Sequence, residues 1–193
     1  MGTVIKQVTR SHINELVRIH QESLPDDILP SLGSGTLLKY YEFVLCSYGQ
    51  YILGAFQEGC LVGFCQLSVN QFSILSIFLR NPSFILRITI LALTRPKKFI
   101  SGVLMVWHKS KLNSRCPEIE FIAVDKKFQG IGIGSKLIES VTKHEAVIGA
   151  TLMTKTSNPL AKNIYEKKYN AIISYEFLLF GKKYWYLTWK PSI

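Results

Sequence analysis

Apolar residues follow two alternating periods along this chain, short β-branched runs and stretches with helical spacing. Positions 4–8 are short and β-branched and predict a strand. Thr9 or Ser11 can then cap a helix to about Leu24, with Ile13, Leu16, Val17 and His20 on one stripe and Pro25 closing it. Positions 28–35, with Pro30 and two glycines, read as a loop. The spacing of Leu37, Leu38, Tyr41, Val44 and Leu45 predicts a helix over 36–46. Strands are expected at 51–56 and 61–69, joined by a hairpin-like Gln57-Glu58-Gly59, with Gly54 and Gly63 marking bulges or close backbone approach.

From 70 to 114 the pattern becomes irregular and apolar-basic. Pro82 and Pro96 confine helices to 71–80, 83–94 and about 97–107, so this stretch reads as an insertion or cap. Regular patterning returns with a strand at 118–124, a helix over about 132–144, a strand at 150–155 and a helix at 159–168. A final hairpin, 172–180 and 184–189, turns at Gly181-Lys182-Lys183. With 193 residues, 48% apolar and 19% charged, the chain fits one α/β domain with an insertion at about 71–114, and not a disordered segment or a charge-rich coiled coil. No internal repeat is visible.

Charge changes the picture. Lys and Arg number 23 against 13 Asp and Glu, a net +10, and pI is near 9.5. Between Gly59 and Pro117 there is no acidic residue, while Arg80, Arg87, Arg95, Lys97, Lys98, Lys109, Lys111 and Arg115 contribute +8; the rest of the chain is near neutral. Such a balance points to an anionic partner, whether nucleic acid, membrane surface or phosphorylated small molecule. Arg80, Asn81, Pro82 and Arg87 break the apolar stretch 72–93, so no uncharged run reaches the ~18 to 20 residues of a bilayer crossing. An interfacial amphipathic segment is an alternative, but packing onto its own domain is the expectation, and membrane association is not expected. The first ten residues lack a signal peptide's apolar core, and Lys6 stands where myristoylation wants Ser or Thr, so a cytoplasmic location is the default. Cys46, Cys60, Cys65 and Cys116 show no CxxC and no ligand spacing with His12, His20, His108 or His144. They read as reduced, mostly buried thiols, with no metal expected.

The most informative stretch runs from Val124 through Gln129-Gly130-Ile131-Gly132-Ile133-Gly134-Ser135-Lys136 into an amphipathic helix. Alternate glycines before a helix let several N–H groups point into one concavity where the helix dipole also favours an anion, a geometry suited to a pyrophosphate. A P-loop would need Gly-Lys-Ser/Thr, whereas Ser135-Lys136 is reversed, and GxGxG is not the GxGxxG of a dinucleotide fold. A tight helix–sheet packing turn accounts for the glycines equally well.

These residues resemble the Gln/Arg-x-x-Gly-x-Gly/Ala signature of the GCN5-related N-acetyltransferase (GNAT) superfamily. A second segment, Asn158-Pro-Leu-Ala161-Lys-Asn-Ile-Tyr165-Glu166-Lys167-Lys-Tyr169, is similar to the family's Asn-x-x-Ala-x-x-Leu-Tyr-Glu-Lys-x-Gly-Phe pattern, with Tyr169-Asn170 departing from Gly-Phe. The resemblance implies a mixed, mostly antiparallel sheet with a V-shaped splay between two parallel strands, 118–124 and 150–155, with the insertion between the third and fourth strands. It implies acetyl-CoA or another acyl-CoA as co-substrate, its pantetheine paired with backbone at Ile122 and Val124. Amides of Gln129, Gly130, Ile131, Gly132, Gly134 and Ser135 would take the pyrophosphate, and Asn158 the pantetheine arm.

In such a family an amine attacks the thioester directly, leaving a proton to remove and a thiolate to protonate. Tyr165 matches the thiol-facing acid; its alternative is a core tyrosine. Glu118 lies eleven residues before Gln129, where histone-type members carry their base, and Glu120, at even spacing, is expected on the same face as Glu118, Ile122 and Val124. Paired carboxylates would raise one another's pKa. Solvated or salt-bridged carboxylates are the competing reading, and a water can also relay the proton.

The insertion's basic residues, with Phe72, Phe78, Phe84, Phe99 and Trp107, suit base stacking and pyrophosphate holding. The expected acceptor is therefore a nucleotide-linked amine. The layout is similar to acyltransferases of surface-polysaccharide pathways that act on dTDP-linked amino-deoxy sugars, some with acyl groups such as 3-hydroxybutanoyl. A protein or small-amine acetyltransferase is the alternative, and a nucleic-acid or membrane-binding module the second. Nucleic acid is not expected as a partner, and an apolar face of the insertion leaves a homodimer open.

Overall fold

The computed structural model describes residues 2–70, 82–112 and 116–191. Its elements are β1 (Val4–Gln7), α1 (Ile13–Ser23), α2 (Ile28–Ser31), α3 (Ser34–Leu45), β2 (Gln50–Gln57), β3 (Cys60–Ser68), α4 (Pro82–Thr94), α5 (Pro96–Ser110), β4 (Glu118–Val124), α6 (Ile133–Thr142), β5 (Leu152–Thr156), α7 (Pro159–Tyr169), β6 (Ile172–Leu179) and β7 (Lys182–Trp189). They form a seven-stranded sheet in the order β1-β2-β3-β4-β5-β7-β6, antiparallel throughout except for the parallel β4–β5 pair.

Local chemistry sets the element boundaries. Thr9 and His12 form a reciprocal capping box at the 3-10 turn Arg10–His12 that leads into α1. The stretch 28–35 is not the expected loop: the Asp27 carboxylate accepts from Leu29 N–H at 3.1 Å and nucleates α2, and α3 already starts at Ser34. The β2–β3 hairpin turns through Glu58 and Gly59, both at positive φ, and at Gly63 an added Cβ would stand 3.0 Å from the Ala123 carbonyl oxygen. Asn170 closes α7 in the left-handed conformation, doing there what glycine commonly does.

Helices cover both faces of the sheet. On one face α1, α2, α3 and α4 bury Leu16, Ile19, Leu37, Tyr40, Tyr41, Phe84 and Leu91 against β2, β3 and β4. On the other, α6 and α7 bury Leu137, Ile138, Val141 and Tyr165 with Ile119, Leu152, Leu187 and Trp189. A third cluster, on the first face, joins Met153, Phe177 and Tyr186 to Leu104 and Met105 of α5. Cys65 is buried, but Cys46 and Cys60 are exposed, against expectation. The helix expected at 71–80 lies outside the described residues. Among the described residues no helix is long and apolar enough to cross a membrane, and no group of three or more His, Cys, Asp or Glu could hold a metal.

Candidate active site

The parallel strands β4 and β5 part almost as soon as they meet. Only Glu118↔Met153 and Ile119↔Thr154 pair, so the rest of β4 borders an open wedge. Asp125 N–H donates to Val62 O on β3, and backbone groups two residues apart point the same way. The N–H and C=O groups of Val124 and Ile122 therefore face the wedge. The Val124 carbonyl already accepts from Ser23 Oγ at 2.9 Å and Gln129 Nε2 at 2.8 Å, which leaves its N–H as the group on offer.

At the wide end lies the glycine loop. Asp125, held by Arg18 at 2.8 Å and capping the turn Lys126–Phe128 through Lys127 N–H, fixes the chain's exit from β4. Gly130 and Gly132 are both at positive φ, and Gly132 caps α6. Gly134 is different: its φ is ordinary, and a Cβ there would meet nothing within 4 Å. Ala would stabilise that helix turn, so the fold itself gives no reason for glycine. Gly130, Gly132 and Gly134 thus border unfilled space at the N-terminus of α6, with exposed Ile131 beside them and Lys126, Lys127 and Lys136 nearby. Ser135 lies in the same first turn, its carbonyl taken by Tyr169 Oη at 3.3 Å. The side chain of Asn158 caps α7, its Oδ1 accepting from Leu160 N–H at 2.9 Å.

Two groups of opposite chemistry flank the apex of the wedge. On the α6–α7 face, buried Tyr165 hydrogen-bonds the Thr154 side chain, whose Oγ1 donates to Ile119 O. Burial, reinforced by the Cys65 thiol, pushes the phenol well above its usual range, so it stays a neutral donor. On the opposite face stand Glu118 and Glu120, with Lys109 Nζ 2.7 Å from Glu118 Oε2 and 2.8 Å from Glu120 Oε1. Burial, then the neighbouring Glu120 carboxylate, raises Glu118 to about 7 against the pull of Lys109. Burial disfavours the Lys109 charge, but the two carboxylates outweigh it and hold the ammonium above its ordinary range.

The two glutamates do share a face, but not with Ile122 and Val124. A bulge opposite Gln66 and Leu67 inserts Glu120 as an extra residue, so alternation inverts beyond it, and Ile122 and Val124 pack with the opposite cluster. Even spacing in sequence does not reveal such an inversion.

Helix α5 roofs the glutamate face. Gly102 lies against Ile28, Lys98 Nζ donates to Pro25 O at 2.9 Å, and His108 stacks on Phe177 with centroids 3.8 Å apart while bonding Tyr175 Oη at 2.8 Å. Lys182 closes the rim by pairing with Asp26 at 2.8 Å. The floor is aromatic, formed by Tyr175, Phe177, Tyr184 and Tyr186, and its signal in the sequence is alternate aromatic positions in the last hairpin, a pattern the strand reading above does not single out. The expected insertion aromatics behave otherwise. Phe84 is buried in the core, Phe99 packs against it, and Trp107 is exposed beneath Lys111. Of the insertion's basic residues, Lys109 alone among those described pairs with the glutamates. Arg87 donates to Leu32 O, Arg95, Lys97 and Lys111 are exposed, and Arg80, Arg115, Phe72 and Phe78 lie outside the described residues.

Known structures share this fold. A histone acetyltransferase HPA2 and related acetyltransferase from Corynebacterium glutamicum is 14% identical, with a TM-score of 0.65 over all of this chain and 98% of that one. The ribosomal-protein-S18-alanine N-acetyltransferase of Escherichia coli is 13% identical, TM-score 0.62, over 100% and 96%. A GNAT-family acetyltransferase from Bacillus cereus is 12% identical, TM-score 0.61, with both chains fully covered. No curated protein sequence matches significantly. The family model for the acetyltransferase (GNAT) family matches residues 13–170, spanning the splay, the glycine loop and Tyr165. The chain belongs to the GNAT acetyltransferase family and is an acyl-CoA-dependent N-acyltransferase.

Proposed function

We propose that the chain acylates the primary amine of a small, enclosed acceptor, a nucleotide-linked amino-deoxy sugar such as a dTDP-sugar, using acetyl-CoA or a short hydroxyacyl-CoA. The observation that carries this reading is the roof: α5 spans the glutamate face from Ile28 to Phe177, which suits a small molecule and leaves little room for an extended peptide. Half-buried Tyr175 and Tyr184 offer ring surface to a base or sugar, and Lys155 adds positive charge near Glu118.

In this reading the N–H groups of Ile122 and Val124 hold the pantetheine along β4, the Asn158 amide steadies it, and the glycine loop from Gln129 to Ser135 binds the pyrophosphate. Acyl-CoA supplies the thioester. Because α6 and α7 fill the other face, the amine approaches from the side of Glu118 and Glu120. Glu118, poised near neutrality, accepts the ammonium proton directly or through water. Tyr165, turning its hydroxyl from Thr154 Oγ1 toward the thioester, donates to the departing sulfur.

The test is release of free thiol from acetyl- and 3-hydroxybutanoyl-CoA with a panel of nucleotide amino sugars and peptides, for the parent, Glu118→Gln and Tyr165→Phe. Turnover of sugar nucleotides and loss of rate in both variants is expected. Peptide turnover alone overturns the acceptor assignment, and undiminished rates remove the two catalytic assignments.

A further inference from the structure

Helix α4 is apolar around most of its circumference. Its inner side packs Phe84 and Leu91 into the core, yet Leu86, Ile90 and Leu93 point outward, Leu93 being 79% exposed. Helix α5 repeats the arrangement: Leu104, Met105 and Lys109 face the sheet, and Ile100, Val103 and Val106 face away, Val106 being 69% exposed. Leu86, Ile90 and Leu93 follow one another at four and three residues and Ile100, Val103 and Val106 at three and three, so each outward set falls on one side of its helix, and α4 and α5 pack against each other as a hairpin. A helix apolar on both sides is ordinarily covered on both sides.

We infer that this outer face docks on an anionic bilayer surface, with the apolar stripes in the headgroup–acyl boundary. Charge selects the occupant. Residues 82–112 contain six Lys and Arg and no Asp or Glu. Lys109 is spent inward on the two glutamates, whereas Arg95, Lys97 and Lys111 are exposed on the rim. Two copies meeting through this face would bring like charges together, while an anionic headgroup layer complements them. Trp107, half exposed with Lys111 Nζ 3.5 Å above its ring, is an amphipathic side chain of the kind that sits at that boundary. Neither helix is long enough to span, so the hairpin lies on the surface. The inner face of the same α5 roofs the glutamates, so docking would set the cleft beside the headgroup layer. The inference does not depend on which acceptor is used.

The experiment is co-sedimentation of the full chain with vesicles of phosphatidylcholine alone or with phosphatidylglycerol at low and high salt. Binding is expected to the anionic vesicles, to weaken with salt, and to fall roughly 20- to 30-fold in Lys97→Gln/Lys111→Gln, taking about fivefold per basic residue. Leu93→Glu/Val103→Glu, both at exposed positions, is expected to keep the circular dichroism and thermal transition of the parent and to lose binding. In the unsubstituted protein, brominated lipid should quench tryptophan fluorescence, and that quenching should vanish in Trp107→Phe, a readout independent of how the double variant folds. Failure to bind anionic vesicles, quenching that persists in Trp107→Phe, or a concentration-dependent dimer formed without vesicle binding overturns the inference.

Discussion

Lys109 Nζ, in the last turn of α5, stands 2.7 Å from Glu118 Oε2 at the point where β4 and β5 part. One ion pair thus ties the roof of the cleft to the carboxylate beneath it, and Lys109 is at once a latch and a brake on the basicity of Glu118. Lys109→Met removes the charge and most of neither stem nor packing. It should cost about 3 kcal/mol in chemical denaturation, since breaking a buried pair strands the remaining charge. The rising limb of the pH–rate profile should also move to higher pH, because Glu118 keeps burial and Glu120 but loses its counter-ion. Lys109→Arg should restore most of the stability.

Glu118 itself links stability to pH. Its folded pKa, about 7, lies above its ordinary 4.5, so the native state holds that proton more tightly than the unfolded chain does. Any group with that sign stabilises at low pH and loses its contribution as pH rises from 4.5 through 7. The parent should therefore lose about 2–3 kcal/mol relative to Glu118→Gln across that window, taking 1.4 kcal/mol per pH unit as the ceiling. Paired urea titrations at pH 4.5 and 8 measure it; a constant difference between the two proteins would contradict the assignment.

The strand–glycine–helix unit was legible in sequence because it depends on local signals: β-branched alternation to Val124, then glycines where the backbone turns left-handed at Gly130 and Gly132. The parallel pair and the position of Tyr165 came only with the family resemblance. What sequence did not show depends on three-dimensional accidents. The bulge at Glu120 leaves no local composition cue, and it decides which residues share a face. Lys109 looked like one basic residue among eight, and only the extension of α5 to Ser110 carries it over the glutamates. Asp27 capping α2 was hidden by Pro30 and two glycines, which suggested a loop.

His20 should govern the acid limb of stability. Fully buried, with Nδ1 2.5 Å from Tyr41 Oη and Phe121 and Phe64 packed around it, its imidazole is pushed by desolvation down to about 4. A histidine with a depressed folded pKa contributes stability above its unfolded value of 6.5 and loses it as pH falls through 4. That amounts to about 3 kcal/mol in full, at 1.4 kcal/mol per unit. His20→Leu should be less stable at pH 8, by about 1–2 kcal/mol for the lost Tyr41 bond. It should nevertheless unfold over a more acidic range, as followed by circular dichroism from pH 7 to 3.

Two glycines of the loop should separate folding from binding. Gly132, at φ +86°, forces a left-handed conformation that an alanine resists, so Gly132→Ala should destabilise by about 1–2 kcal/mol. Gly134 carries no such demand, and its Cβ would enter open space, so Gly134→Ala should be as stable as the parent or more stable by about 0.5 kcal/mol. If that space is the pyrophosphate cradle, the added methyl obstructs the anion and KM for acyl-CoA rises roughly tenfold, the equivalent of one impaired charge-assisted bond. The amine KM should stay unchanged, because the glutamate face is on the other side of β4. Thermal denaturation and two-substrate kinetics on the same preparation decide it: a stabilised Gly134→Ala protein with an unaltered acyl-CoA KM would place the pyrophosphate elsewhere.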